Sequence, residues 1–254
     1  MAQLTCEFFS EALQMGTSIR VILPQHTQQQ VGVVEKPMRE TDFPVLYLLH
    51  GLSDNHSAWT RYTSIERYAD EAGLAVVMPA VGRSFYTNEA HGHRYWDFIS
   101  DELPTVVRNF FRVSTARADT FVAGLSMGGY GTLKLVGHFP DRYAAAASLS
   151  GVVDLAILDV EPDEREVIGR VFGGTLGPDV DVRAGLDGIP ADKLPDLHIS
   201  CGLEDMLIDQ NRDFVARLQQ RGVNVTARFV PGDHEWSLWD SMIREVIDWL
   251  PIQA

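Results

Sequence analysis

The sequence predicts an α/β fold, with helices on both faces of a mostly parallel central sheet. Two observations support this prediction. Short continuous apolar runs such as Val45–Leu49 have the composition of strands that are buried on both faces. From Ser64 onward these runs alternate with segments of helical character, as in strand–helix–strand units. The chain has 254 residues, 45% of them hydrophobic, which is enough to fill one large core, and we expect residues 1–254 to form a single domain.

The chain opens with two short predicted strands, residues 21–23 and 31–34, separated by a polar turn. Such a pair favours an antiparallel start to the sheet, before the buried strand Val45–Leu49. The later segments alternate regularly, so we expect parallel strands joined by crossover helices. The further predicted strands are residues 74–78, 120–123, 143–149, 197–201 and 223–230, and the predicted helices are residues 64–72, 103–111, 127–138, 209–221 and 235–250.

The charge and the apolar pattern exclude several classes of partner. The formal net charge is −14, which would repel nucleic acid and anionic membrane surfaces. No apolar run approaches the roughly 20 residues that a membrane-spanning helix needs, and residues 1–10 lack a basic segment followed by an apolar stretch. We therefore expect a cytoplasmic protein without nucleic-acid or membrane partners, in which Cys6 and Cys201 are free thiols.

The most informative motif is Gly124-Leu125-Ser126-Met127-Gly128, which follows an apolar run and precedes a helical segment rich in small residues. This strand–turn–helix context is the one that a nucleophile elbow requires. The two glycines let the backbone turn sharply, so the serine hydroxyl is exposed at the tip of the turn. The motif predicts a hydrolase with Ser126 as its nucleophile.

A serine nucleophile needs a base, and the base needs a group that orients it. On this architecture the order along the chain is serine, acid, histidine. His234, in a turn between the last predicted strand and helix, is the one histidine after Cys201 and is predicted to be the base. Asp205 is the predicted acid, because it follows the strand at residues 197–201 and has a short side chain. Two alternatives, Glu204 beside it and Asp154 after the preceding strand, remain open.

The oxyanion of an acyl-transfer intermediate needs two backbone N–H donors. Met127, directly after the nucleophile, is predicted to supply one. The strand Val45–Leu49 ends in His50-Gly51-Leu52, and Gly51 allows the chain to turn an amide into the site, so Leu52 is the predicted second donor. The alternative for this turn is a plain strand ending.

Aromatic residues lie close to the predicted site loops, which favours an apolar acyl or aryl pocket. Tyr86 and Trp236 are the predicted substrate contacts; Phe85, Tyr95, Trp96 and Trp239 belong to the same group and can equally be core residues. His91 and His93 would offer only two ligands, whereas zinc needs three or four, so no metal site is predicted.

Residues 152–193 interrupt the strand–helix alternation and are rich in Asp, Glu, Gly and Pro, with one short helical candidate at residues 163–172. An insertion of this length within a compact domain usually has a function. We interpret it as a cap over the active site. The alternative is a surface excursion without a role in substrate choice.

Several motifs together resemble the tributyrin esterase group of the esterase D superfamily, over nearly the whole chain. They are His50-Gly51-Leu52, residues 55–59, Tyr86-Thr87, Glu102-Leu103-Pro104, the run from Gly124 to Gly131, and His234-Glu235-Trp236. The resemblance implies an α/β-hydrolase fold, carboxylesterase activity on short acyl esters and no cofactor. It also implies a triad of Ser126, Asp205 and His234, and a dimer or tetramer.

One departure bears on the substrate. The S-formylglutathione hydrolase branch of this superfamily usually carries Thr-Cys just after the oxyanion turn, where this chain has Ser53-Asp54. We therefore expect a small-molecule ester as the substrate, with a thioesterase or an acetyl or feruloyl esterase acting on carbohydrate esters as the alternatives. A binding module without activity would require the loss of a triad member, and none is missing.

Overall fold

The computed structural model describes residues 1–25, 27, 31, 41–156, 162–177 and 180–252, with only the backbone described at residues 162–164. Eight strands form one sheet in the order β1-β2-β4-β3-β5-β6-β7-β8. They are β1 Ala2–Ser10, β2 Met15–Leu23, β3 Val45–Leu49, β4 Ala75–Pro79, β5 Thr120–Leu125, β6 Ala145–Leu149, β7 Asp196–Gly202 and β8 Val225–Val230. β1 pairs antiparallel with β2, and β2 pairs antiparallel with β4, while all other neighbours are parallel.

The helices found in the described residues alternate with these strands. They are α1 Ala58–Tyr62, α2 Ile65–Ala72, α3 Tyr95–Asp97, α4 Leu103–Phe110, α5 Met127–His138, α6 Pro162–Phe172, α7 Val182–Asp187, α8 Ile208–Gln220 and α9 Trp236–Trp249. A π-helical turn, Phe98–Glu102, joins α3 to α4. None of the described helices is both long and apolar enough to span a membrane.

The two faces of the sheet carry separate cores, and strand β3 contributes to both. Its side chains alternate: Tyr47 and Leu49 belong to the core under α4, α5, α6, α7 and α8, whereas Leu46 and Leu48 belong to the core under α1, α2 and α9. This alternation follows from the two-residue period of a strand. A strand buried on both faces therefore reads as one continuous apolar run, which is why the sequence identifies it. The predicted α/β fold with helices on both faces of a mostly parallel sheet is confirmed.

The start of the sheet differs from the prediction. The sheet opens with the antiparallel pair of β1 and β2, in a register that places Cys6 opposite Ile19. The predicted strand at residues 21–23 is the end of β2, and residues 32–34 of the other predicted strand lie outside the described residues. Strand β1 was missed because most of its side chains are exposed or only partly buried, so it lacks an apolar run. The other predicted strands and helices are found, with ends shifted by up to two residues.

The parallel strands direct their carboxyl ends to one edge of the sheet. At this edge β3 leads into Gly51, β5 leads into Ser126, β7 leads into Asp205, and β8 leads into His234. Ligands of open α/β sheets gather at that edge. The fold thus brings together segments that lie more than a hundred residues apart in the chain.

Candidate active site

Ser126 occupies the tight turn between β5 and α5. Its backbone has φ 52° and ψ −117°, outside the regions that residues other than glycine usually adopt. The turn fits only because its flanking positions lack side chains: a Cβ on Gly124 would lie 2.4 Å from Gly128 O, and one on Gly128 would lie 2.5 Å from Leu49 O. The serine is partly exposed while the residues on both sides are buried, so the strained turn presents its hydroxyl to the cavity.

His234 joins the serine to a buried carboxylate. Its Nε2 lies 3.0 Å from Ser126 Oγ, and its Nδ1 lies 2.9 Å from Asp205 Oδ2. A carboxylate can only accept from Nδ1–H, which leaves Nε2 as the acceptor for the serine hydroxyl. The ring also packs edge-on against Trp239 at 4.8 Å between centroids. These contacts give the imidazole the tautomer and orientation that a base for Ser126 would need.

Asp205 is the acid that reaches His234. Its side chain is fully buried and also accepts the backbone N–H of Leu207 at 2.9 Å. Burial by itself would raise the pKa of Asp205, but the hydrogen bond and the charge of His234, together with that backbone donor, outweigh burial and hold the pKa below its usual value. The group is therefore favoured as a carboxylate at neutral pH.

The two alternative acids are occupied elsewhere. Glu204 is exposed, and its Oε2 accepts the backbone N–H of Gly232 at 2.6 Å. Asp154 forms an ion pair with Arg183 at 2.9 Å. Neither carboxylate contacts His234 in the described residues, whereas Asp205 does.

Two backbone N–H groups lie beside Ser126. Met127 is the first residue of α5, so its N–H has no acceptor within the helix. Leu52 follows Gly51, and a Cβ on Gly51 would lie 3.8 Å from Ser126 Cβ. Among the described residues neither N–H donates to a protein acceptor, and both residues line the cavity at the serine. The pair can therefore donate to an oxygen of a bound acyl group.

His50 fixes the orientation of the Leu52 amide, a role that the sequence analysis did not assign. The ring is fully buried, and its Nε2 accepts the backbone N–H of Val81 at 3.0 Å. Its Nδ1 must therefore carry the hydrogen, which it donates to Gly51 O at 2.7 Å. Burial lowers the pKa of His50 to about 4, so this neutral form persists at neutral pH. The signal in the sequence is the histidine directly before the glycine of the turn.

Tyr86 supports the loop that carries His50 and Gly51. Its side chain is fully buried, and its hydroxyl donates to His50 O at 2.9 Å. The segment is strained, since Phe85 and Tyr86 both have φ of 50°, and the buried Lys134 donates to Tyr86 O at 3.2 Å. Tyr86 was predicted to contact substrate, but its fully buried side chain is not among the residues that line the cavity. An aromatic residue in a loop sequence carries no information on which way its ring turns.

The cavity at Ser126 has a volume of about 420 Å³. Trp236, the other predicted substrate contact, is part of its wall and packs against Trp59, Tyr62 and Trp239 with centroid distances of 5.0 to 5.3 Å. In the described chain the wall consists of Gly51, Leu52, Ser53, Asp54, Phe85, Leu125, Ser126, Met127, Val152, Met206, Leu207, His234, Trp236 and Trp239. The wall is mainly apolar, with one carboxylate, Asp54, that the sequence analysis did not assign.

No group of three or more His, Cys, Asp or Glu side chains that could hold a metal ion occurs in the part of the chain that is described. In the pair noted in the sequence, His93 Nδ1 lies 3.0 Å from Leu13 O, and His91 donates its backbone N–H to Arg170 O. Cys6 and Cys201 are both free.

Comparison with known proteins identifies the family. The model of the Esterase family (Putative esterase) matches residues 10–249. The chain is 36% identical to a substrate-bound structure of the fluorophosphonate-binding serine hydrolase F (FphF) of Staphylococcus aureus, with a TM-score of 0.88 and 99% of each chain covered. It is 37% identical to the apoenzyme of S-formylglutathione hydrolase (FrmB) from the same species, with a TM-score of 0.84 and 98% of each chain covered. It is also 28% identical to an acetyl esterase of Caldicellulosiruptor saccharolyticus, over 98% of each chain.

These likenesses extend over nearly the whole chain and include the segments that carry Ser126, Asp205 and His234. They agree with the resemblance to the esterase D superfamily that the sequence motifs indicate. The chain belongs to the Esterase family and is a serine ester hydrolase with an α/β-hydrolase fold.

Proposed function

We propose that the protein is a carboxylesterase that hydrolyses short-chain acyl esters through a triad of Ser126, His234 and Asp205. The observation that carries this proposal is the continuous hydrogen-bonded series from Ser126 Oγ through the His234 ring to Asp205, with distances of 3.0 and 2.9 Å. A serine hydroxyl is a weak nucleophile unless a base lies within hydrogen-bond reach. Here the base is in contact with the serine, and the acid that orients it is buried.

In the acylation step His234 Nε2 takes the proton from Ser126 as Oγ attacks the ester carbonyl carbon. The carbonyl oxygen becomes an oxyanion, which the N–H groups of Leu52 and Met127 stabilise. The tetrahedral intermediate then collapses, the bond to the alcohol breaks, and His234 gives its proton to the leaving alcohol oxygen. Asp205 remains a carboxylate and stabilises the imidazolium that forms in between.

In the deacylation step water replaces the alcohol. His234 takes a proton from the water, whose oxygen attacks the acyl carbon, and the second tetrahedral intermediate uses the same two N–H donors. Its collapse releases the carboxylic acid, and His234 returns the proton to Ser126. Ser126, His234 and one water molecule thus account for every bond and proton that changes in the two steps.

The size and lining of the cavity support short acyl groups. A volume of about 420 Å³ is at the lower end of ligand pockets, and Leu125, Trp236 and Trp239 provide apolar surface next to the serine. The relative from Caldicellulosiruptor saccharolyticus is an acetyl esterase, which acts on a short acyl group. Both points favour acetyl to butanoyl esters over long-chain ones.

We also propose that residues 152–193 act as a cap. In this role the segment packs against residues that form the cavity wall and holds them in place. Of this segment only Val152 lines the cavity in the described chain. Helix α6 is joined to the loop before α3: Ala90 donates its N–H to Val171 O at 2.8 Å, and Arg170 pairs with Glu89. At the end of α6, Phe172 packs on Phe85, which lines the cavity. A substitution or movement in α6 would therefore alter the substrate cavity by shifting Phe85.

The test is hydrolysis of p-nitrophenyl esters from acetate to octanoate by the wild type and by Ser126→Ala, Asp205→Asn and Glu204→Gln. Ser126→Ala should abolish activity, and Asp205→Asn should lower kcat by about 10⁴-fold, as expected when the base is held in the wrong tautomer. Glu204→Gln is the matched control, because it neutralises the neighbouring carboxylate without touching His234, and it should keep activity. Activity that survives in Ser126→Ala would refute the proposal.

A second candidate, hydrolysis of S-formylglutathione, is supported by the 37% identity to the S-formylglutathione hydrolase of Staphylococcus aureus. The same triad and oxyanion donors serve a thioester, so the chemistry does not separate the two. The comparison to make is kcat/KM for S-formylglutathione against that for p-nitrophenyl acetate. A much higher value for the thioester would replace the oxygen-ester proposal.

A further inference from the structure

Asp54 is an ionisable side chain in the wall of the cavity that the proposed mechanism does not use. It lies in the turn after β3, where its backbone N–H donates to Gly51 O at 3.2 Å. Its carboxylate is on the same side of the turn as the nucleophile. From the point where a Cβ on Gly51 would lie, Asp54 Oδ2 is 3.4 Å away and Ser126 Cβ is 3.8 Å away.

Within the described chain this carboxylate feels the charge of Arg61 but has no hydrogen-bonding partner. No side chain or backbone N–H donates to it, and it forms no ion pair. Burial raises the pKa of Asp54, and the positive charge of Arg61 opposes that rise only in part. The Arg61 guanidinium lies over the ring of Tyr62, 5.0 Å from its centroid. Partial burial removes part of the hydration of this carboxylate, and a bound substrate that supplies a donor would compensate for the part that is lost.

We propose that Asp54 determines specificity by charge: it favours uncharged esters, above all those that carry a hydroxyl group near the scissile bond, and disfavours esters that carry a carboxylate. A hydroxyl can donate to the unpartnered Oδ atoms. A second carboxylate in the same partly desolvated cavity meets direct repulsion, which is stronger there than in water. This inference deepens the proposed function and rests on it.

The two candidate substrates differ in the charge that they would bring close to Asp54. The glutathione portion of S-formylglutathione carries two carboxylates and one ammonium group, so its net charge is negative. An acylated polyol is neutral and offers hydroxyl donors. The chain as a whole has a formal net charge of −14, which adds a weaker and salt-screened repulsion in the same direction. In contrast to this overall charge, Asp54 would repel an anionic substrate directly within the cavity.

The experiment measures kcat/KM for two matched pairs of esters at a pH where carboxylates are ionised. One pair varies the alcohol portion, with methyl 4-acetoxybenzoate as the neutral member and 4-acetoxybenzoate as the anion. The other varies the acyl portion, with p-nitrophenyl butanoate as the neutral member and mono-p-nitrophenyl succinate as the anion. Because each ester is compared between enzyme variants, its intrinsic reactivity cancels.

We expect Asp54→Asn, which keeps the shape of the side chain and removes the charge, to raise the ratio of anionic to neutral kcat/KM about tenfold in at least one pair. The pair that responds identifies which portion of the ester lies against Asp54. High salt should narrow the difference between the variants. The matched control is Asp141→Asn. It removes one exposed negative charge between α5 and β6, at the opposite edge of the sheet, and should leave both ratios unchanged.

The outcomes are distinguishable. Equal ratios in the wild type and Asp54→Asn for both pairs, with normal hydrolysis of the neutral esters, would overturn the role of Asp54 and leave the esterase proposal intact. An equal change in Asp141→Asn would show that only the net charge matters, which also overturns it. Absence of hydrolysis of every neutral ester by the wild type would instead refute the proposed function.

Discussion

His50 Nδ1 and the carbonyl oxygen of Gly51 lie 2.7 Å apart, and this contact sets the direction of the next amide. In a planar trans peptide the C=O of one residue and the N–H of the next point in opposite directions. Because the Gly51 carbonyl is held towards the buried His50 ring, the Leu52 N–H is directed towards the cavity. The donor that we assign to the oxyanion is therefore positioned by a side chain that itself never meets substrate.

The first prediction concerns Tyr86, whose hydroxyl donates to His50 O at 2.9 Å. Tyr86→Phe should lower the free energy of unfolding by about 1 kcal/mol, the usual worth of one buried hydrogen bond. It should also lower kcat by up to about tenfold, since a complete loss of an oxyanion donor costs about 3 kcal/mol and this change only loosens one. KM should stay close to the wild-type value, because Tyr86 has no exposed surface.

Urea denaturation and steady-state kinetics on p-nitrophenyl acetate would check both parts of this prediction. The decisive readout is whether the substitution changes kcat or KM, because loss of a residue that contacts substrate would change KM. A large rise in KM with unchanged kcat would restore the sequence-based expectation that Tyr86 binds substrate. It would also contradict a positioning role.

The arrangement of Ser126, Asp205 and His234 could be predicted from the sequence because each depends on local signals. The glycines around Ser126 are required by close backbone approach, and His234 and Asp205 follow strands whose carboxyl ends meet at one edge of the sheet. The roles of His50 and Tyr86 could not be predicted in this way. They depend on side chains that cross between loops, and on positive φ angles at two residues that are not glycine.

The second prediction concerns Gly131 in α5, where the helix approaches Tyr86. A Cβ at this position would lie 2.5 Å from Tyr86 Cδ2 and 2.6 Å from Cγ. Tyr86 cannot move away easily, because its hydroxyl donates to His50 O and its backbone carbonyl accepts from Lys134. We expect Gly131→Ala to lower the free energy of unfolding by about 1–2 kcal/mol, since overpacking exceeds the gain in helix propensity. It should lower kcat as well, by displacing Tyr86.

Gly137→Ala, in the same helix, is the matched control. Its Cβ would meet Gly185 C at 3.6 Å, an ordinary contact, so the higher helix propensity of alanine should raise the free energy of unfolding by about 0.5–1 kcal/mol. Thermal or urea denaturation of both variants would measure the difference. A rise in the free energy of unfolding at both positions would show that Tyr86 moves away from the new methyl group.

The third prediction concerns Trp236, which forms part of the cavity wall. Trp236→Ala should open the wall and raise the ratio of kcat/KM for octanoate to that for acetate by about tenfold, because a larger apolar cavity can bury more of a long acyl chain. Tyr62→Ala provides the control. Tyr62 stacks on Trp236 at 5.0 Å but does not line the cavity, so its loss should leave the ratio nearly unchanged. An unaltered chain-length profile in Trp236→Ala would remove Trp236 from the acyl-binding wall.

The fourth prediction is a loss of stability in mild acid, to which His198 contributes. Its ring is buried in β7 at 5.3 Å from Trp249, and its Nδ1 has no hydrogen-bond partner among the described residues. Burial lowers the pKa of His198 to about 4, with Glu245 opposing and Arg228 adding to the effect. In the unfolded chain the pKa is about 6.5, so between these two values the unfolded state binds a proton that the folded state does not.

The free energy of unfolding should therefore fall as the pH drops from about 6.5 to about 4, with a slope of up to about 1.4 kcal/mol per pH unit for each such histidine. His50, whose pKa is also about 4, adds a second contribution of the same sign. His198→Phe keeps a ring against Trp249 but cannot titrate, so its slope should be smaller than that of the wild type, in which His50 and His56 also have pKa values lowered by burial. Urea denaturation at several pH values in this range measures both slopes. Equal slopes would mean that His198 binds its proton as readily in the folded protein as in the unfolded chain, and the acid sensitivity would then lie with His50 and the carboxylates.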